Sequence, residues 1–95
     1  MYDARSIIIR PVVSEKSYKL MEFNRYTFEV DKRATKPHIA SAIEEIFGVT
    51  VTSVNTINVP GKPRRLRYNK GVTRTWKKAV VTLKDGDKID LFEGR

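Results

Sequence analysis

Between Arg25 and Val30 apolar and polar residues alternate, with Tyr26, Phe28 and Val30 on one side and Arg25, Thr27 and Glu29 on the other. That two-residue period predicts a half-buried strand. From Lys36 to Phe47 the period changes. Ile39, Ala42, Ile43, Ile46 and Phe47 recur at helical spacing opposite His38, Ser41 and Glu45, so this stretch predicts an amphipathic helix. Thr35 is placed to cap it, Pro37 suits its first turn and Gly48 supplies its stop. Val49 to Val59 is rich in β-branched residues and predicts a long strand with a bulge near Val54. In that reading Val49, Val51, Ile57 and Val59 share a face.

The remaining pattern is shorter. Ser14 to Glu22 predicts a helix, with Ser14 as its cap, Glu15 in the first turn where the helix dipole favours a carboxylate, and Leu20 and Met21 turned inward. Pro11 blocks helix before it, and the run Ile7, Ile8, Ile9 is a weak strand. Ala79, Val81 and Leu83 alternate within a strand over Trp76 to Lys84. Asp85, Gly86 and Asp87 then form a tight turn into a short final strand, Ile89 to Leu91. About fifteen residues, opened by Pro60-Gly61-Lys62-Pro63, separate the Val59 and Trp76 strand ends and carry no strong pattern; loops of that length are usually functional or disordered. The order β-(α)-β-α-β-β predicts an α+β fold, helices covering a mainly antiparallel sheet. Ninety-five residues fit one domain, 1–95, with 60–75 as an extended loop.

Charge changes the picture at that loop. The chain has 19 Lys and Arg against 11 Asp and Glu, a formal net charge of +8. Residues 46 to 84 hold nine of the basic residues and no acidic one, so the rest of the chain is left at −1. All the surplus is local, the pattern of a polyanion-binding surface. Lys62, Arg64, Arg65, Arg67, Lys70 and Arg74 are interleaved with Tyr68 and followed by Trp76, Lys77 and Lys78. Cations at this density pair with phosphates, and aromatic faces stack on unpaired bases. Arg outnumbers Lys between residues 64 and 74, favouring planar, bidentate contacts.

Other chemistry finds little support. Cysteine is absent, which excludes disulfides and thiolate chemistry. No run approaches the roughly 20 apolar residues of a membrane span, so no membrane insertion is expected. His38 is the only histidine and reads as a solvated ring, without the positioned partner that general acid-base work needs. Adjacent on a helix, Glu44 and Glu45 diverge by about 100°, which makes them a solvated face. Gly61 and Gly71 are isolated, and no phosphate-binding glycine motif occurs. No catalytic residue, cofactor or metal is expected.

Several collinear motifs resemble the ribosomal protein L23 family: Arg10-Pro11-Val12-Val13-Ser14-Glu15-Lys16-Ser17, Tyr26-Thr27-Phe28-Glu29-Val30, Ile43-Glu44-Glu45-Ile46-Phe47-Gly48-Val49, Val54-Asn55-Thr56-Ile57-Asn58-Val59, Trp76-Lys77-Lys78-Ala79-Val80-Val81-Thr82-Leu83 and Ile89-Asp90-Leu91-Phe92-Glu93-Gly94. The resemblance spans nearly the whole chain. It implies a four-stranded antiparallel sheet with helices, a long basic hairpin along the peptide exit tunnel, and a cytoplasmic, bacterial-type large ribosomal subunit protein. Its partners would be large-subunit rRNA, neighbouring large-subunit proteins, the chaperone trigger factor and the signal recognition particle. The family's docking segment for the chaperone falls on Val13, Ser14 and Glu15. One departure stands in the loop, where Leu66 precedes Arg67-Tyr68 while the family commonly has glycine.

On the residues alone, Glu15 with Lys19 four positions on is ordinary helix stabilisation of a few tenths of a kcal/mol. The resemblance adds the docking role. The expected RNA contacts centre on Lys62 to Lys78, with Arg10 and Lys36 as secondary candidates. Two rivals remain at this point: a free-standing RNA chaperone with a basic arm, distinguished by salt-sensitive but sequence-indifferent binding, and a nucleic-acid enzyme using the loop as a clamp, distinguished by turnover.

Overall fold

A computed structural model describes residues 4–61, 63–65, 70–72 and 75–90, the runs 63–65 and 70–72 by their backbone alone. The order of elements is α1 (Ala4–Ile7), β1 (Ile8–Pro11), α2 (Glu15–Leu20), a 3-10 turn (Met21–Phe23), β2 (Arg25–Val30), α3 (Lys36–Phe47), β3 (Val51–Val59), β4 (Pro63–Arg65), β5 (Lys70–Val72) and β6 (Trp76–Leu83). Four strands form an antiparallel sheet in the order β1-β2-β6-β3, and β4 pairs with β5. The fold is α+β, as the pattern predicts. β6 lies between β2 and β3.

The cap residues set the helix ends. Ser14 accepts from the backbone N–H of Ser17, whose hydroxyl returns the bond to the Ser14 N–H, a closed capping box. Thr35 accepts from the His38 N–H, and Pro37 occupies the first turn of α3. Gly48 ends α3 at φ +66° and donates to the Glu44 carbonyl. Glu44 is not merely solvated: its carboxylate accepts from the Val51 N–H at 2.9 Å, while Asp87 accepts from the Thr50 N–H at 2.7 Å. Two carboxylates thus satisfy the backbone where the chain leaves α3 and enters β3.

Alternation decides the core. Tyr26, Phe28 and Val30 of β2 and Ala79, Val81 and Leu83 of β6 are buried with Ile39, Ala42 and Ile43 of α3, joined by Ala4, Ile7, Ala34 and Ile89. Phe47 leans on Phe28 at 5.7 Å between ring centroids, within the range of favourable aromatic contacts. Leu20 and Met21 are half-buried, and the helix expected through Glu22 tightens to 3-10 after Leu20. Ile46, expected inside, is 40% exposed.

Further sequence expectations differ from the structure. A helical turn, α1, precedes the first strand. β3 starts at Val51, and its irregularity lies between Val51 and Ser53, not near Val54. The extra residue there shifts the alternation, so Val51 pairs with the buried Leu83 and Val54 with the buried Val81, whereas Ile57 pairs with Lys78 and Val59 with Trp76 on the opposite face. Ile57 and Val59 therefore do not share a face with Val51. Asp87 to Asp90 form no strand, although Ile89 is buried; Leu91 lies outside the described residues.

An added Cβ at Gly48 would meet nothing within 4 Å, so the cost of Gly48→Ala is confined to the left-handed backbone. The substitution is expected to destabilise the fold by about 1–2 kcal/mol in urea denaturation.

Candidate nucleic-acid interface

The β3–β6 pair is the longest in the sheet, running from Val51 opposite Leu83 to Val59 opposite Trp76. Beyond it the chain continues as a hairpin, Pro63 opposite Val72, Arg64 opposite Gly71 and Arg65 opposite Lys70. These strands lie where the sequence pattern shows none. Arg65 and Lys70 are thereby register partners, and like charges at paired positions weaken a hairpin unless an anion compensates. Lys62, Arg67, Tyr68 and Arg74 lie outside the described residues.

At the base of the hairpin, alternation sends neighbouring residues to opposite faces. Lys77 is the register partner of Val30 on the core side, and its Nζ donates to the Ala34 carbonyl at 2.6 Å, tying β6 to the segment before α3. Lys78 pairs with Glu29 and Ile57 on the other face. Trp76 is half-buried on that same face and lines a hollow of about 320 Å³ with Ile9, Glu29, Asp31, Lys32 and Arg33.

Arg10 stands on this face as well. Its Nε donates to Glu29 Oε1 at 2.8 Å; the Arg10 side chain is 56% exposed and that of Glu29 only 2%. Glu29 was missed by sequence reading. Its place in the polar half of the β2 alternation was visible, but its burial depends on pairing with β1 and β6. Lys36 lies exposed in the first turn of α3, away from the hairpin in sequence.

The α2 segment is separate chemistry. Val13 is 51% exposed, Ser14 is committed to its cap, and the Glu15 carboxylate is open to solvent with Lys19 Nζ 4.0 Å away. A pair this exposed contributes at most a few tenths of a kcal/mol. Tyr18 and Phe23, also in the stretch from Val13 to Phe23, are exposed as well. Among the described residues no three His, Cys, Asp or Glu gather as a metal site, and no helix is long and apolar enough to cross a membrane.

Residues 6–91 match the family model described as ribosomal protein L23. The chain is 60% identical over 92 residues to a protein of Roseiflexus castenholzii named large ribosomal subunit protein uL23, covering 97% of this chain and 98% of the relative. A protein of the same name from Roseiflexus sp. (strain RS-1) is 61% identical, with 93% and 94% covered. Another from Kocuria rhizophila is 55% identical, with 97% and 90% covered.

The opposite orientations of Lys77 and Lys78 separate their roles. Lys77→Ala is expected to cost about 1 kcal/mol of stability through the lost bond to Ala34 and to leave the salt dependence of RNA binding nearly unchanged. Lys78→Ala should instead lower the slope of log affinity against log salt by about one unit. Denaturation and RNA titration of both variants at four salt concentrations test this.

Proposed function

The chain belongs to the ribosomal protein L23 family, and on that footing we propose that it binds large-subunit rRNA near the polypeptide exit tunnel and offers a docking site for trigger factor and the signal recognition particle. It is a structural protein of the large ribosomal subunit, not an enzyme. That membership removes the ground for the nuclease rival. It also sets the basic segment in a particle built of rRNA and ribosomal proteins, rather than on a free-standing chaperone.

The observation that carries the rRNA reading is the concentration of charge. Nine cations and no acid lie between residues 46 and 84, and the backbone there runs from β3 through the β4–β5 hairpin into β6. Arg64, Arg65 and Lys70 belong to a separate two-stranded ladder outside the four-stranded sheet, and in this reading they supply contacts to phosphates. Neutralising phosphates releases condensed counterions, so affinity should fall steeply with salt. Arg10, Lys36, Lys62, Arg67, Tyr68, Arg74, Trp76, Lys77 and Lys78 complete the proposed RNA set, within which Lys77 is held by Ala34 and belongs nearer to the structure than to the ligand. The docking role rests on Val13, Ser14 and Glu15 at an exposed helix start.

Replacing Arg64, Arg65 and Arg67 together by Ala is expected to weaken rRNA binding and flatten the salt slope by about two to three units. Filter binding of the purified chain to a large-subunit rRNA fragment measures both. An unchanged slope would move the RNA surface off the hairpin.

Glu15→Gln separates helix support from docking. It should cost no more than a few tenths of a kcal/mol of stability and leave incorporation into ribosomes intact. If the carboxylate meets a cation on the chaperone, trigger-factor affinity for ribosomes carrying the variant falls, most strongly at low ionic strength where screening is least. Equal affinities at low and high salt would remove Glu15 from the docking site.

A further inference from the structure

On the face of the sheet opposite α3, one register row crosses all four strands: Arg10 of β1, Glu29 of β2, Lys78 of β6 and Ile57 of β3. A nearly inaccessible carboxylate therefore lies between two cations that are not inaccessible. Strands are about 4.8 Å apart, which sets the Arg10 and Lys78 backbones about 10 Å from each other. Trp76 and its hollow border the row.

We propose that Glu29, which belongs to no part of the RNA set above, is a positioning residue that fixes Arg10 of this row for contact with an rRNA phosphate. The inference rests on the rRNA-binding reading above and adds to it the residue that orients Arg10. Glu29 grips Arg10 through Nε alone, and among the described residues the two Nη groups meet no acceptor. An arginine held by Nε is fixed in its plane and directs its remaining donors outward, in the fork geometry that suits a phosphate. Lys78 supplies a point charge two strands away, and Trp76 beside the row offers a ring edge or face to a neighbouring unpaired nucleotide. Ile57, 47% exposed at the far end of the row, gives apolar cover to a ribose. Cations spaced on a rigid sheet beside an aromatic ring complement a nucleic-acid backbone.

The positioning role has a signature that simple electrostatics would reverse. Glu29→Gln removes a negative charge, so a purely electrostatic or structural role predicts equal or tighter binding to a polyanion. Positioning predicts weaker binding, by about tenfold, because the charged grip on Arg10 is lost. The measurement is affinity of the full chain for a large-subunit rRNA fragment at several salt concentrations, with folding checked by circular dichroism. Wild type, Glu29→Gln, Arg10→Ala and the double variant form the series. With Arg10 absent, Glu29→Gln should no longer weaken binding.

Arg10→Lys is the second arm and holds even where Glu29→Gln does not fold. It keeps the charge, but the ammonium seats on Glu29 and offers no outward fork, so its affinity should fall nearly as far as that of Arg10→Ala. Full affinity in Arg10→Lys, or tighter binding in a folded Glu29→Gln protein, would overturn the proposal. The Arg64, Arg65 and Arg67 variant runs in parallel. Wild-type chain that does not bind the fragment overturns the rRNA reading itself; loss in the hairpin variant with none in the row variants overturns only this inference.

Discussion

β6 is hydrogen-bonded along both edges, to β2 on one side and β3 on the other, and this double pairing is what the other features depend on. Its alternation assigns Ala79, Val81 and Leu83 to the core beneath α3 and leaves Trp76, Lys78 and Val80 on the far face. Being last in sequence among the four strands yet third in space, β6 must be reached from β3 by a connection that turns back along the same edge. The basic hairpin is that connection. Its root is therefore fixed by the β3–β6 pairing, the longest among the described strands.

The same pairing keeps the sheet's two faces chemically distinct. Toward α3 every β2 and β6 side chain that meets the core is apolar except Lys77, whose stem crosses the edge of the core and whose ammonium ends on the Ala34 carbonyl. Long basic side chains tolerate this because the aliphatic part is buried while the charged end finds a partner. On the other face, polar and charged residues lie in register rows. A one-residue slip in either β6 pairing would exchange these sets and send lysine into the core, so the register is strongly specified.

Much of this was legible in the residues. The alternation of β2 and β6, the 3.6-residue period of α3, its Thr35 cap and its Gly48 stop are local signals, and each appears where local chemistry puts it. What failed to show needed information from elsewhere in the chain. α1 is only four residues long and is held by packing its Ala4 and Ile7 into the shared core, not by any propensity visible in its sequence. β4 and β5 carry proline, lysine and glycine, poor strand formers, and pair with each other as a separate two-stranded ladder in the connection between β3 and β6. The bulge expected near Val54 falls instead between Val51 and Ser53, where Thr52 is the extra residue against Leu83 and Thr82, a position set by cross-strand pairing. For the candidate site, the surplus of charge and its place in the chain were legible from composition alone. That neighbouring Lys77 and Lys78 part company, and that Glu29 joins Arg10 across 19 residues, follows only from register.

Glu29 poses the remaining question of why a carboxylate is set at 2% exposure in so small a fold. Removing an ion from water costs several kcal/mol, and a buried pair often recovers no more than that, so well-packed apolar residues in its place are commonly as stable or more so. Stability alone gives no reason for the arrangement. The asymmetry of the pair does: the acid is sunk and the guanidinium is more than half exposed, so Glu29 bears most of the desolvation while Arg10 retains an open donor edge. A symmetric, fully buried pair would satisfy itself and present nothing. An exposed pair would leave Arg10 free to swing among rotamers, and ordering that side chain on binding would cost up to about 2 kcal/mol of lost rotamer freedom. Sinking only the acid moves that ordering cost into folding, where the cooperative pairing of β1, β2 and β6 already holds the row in place.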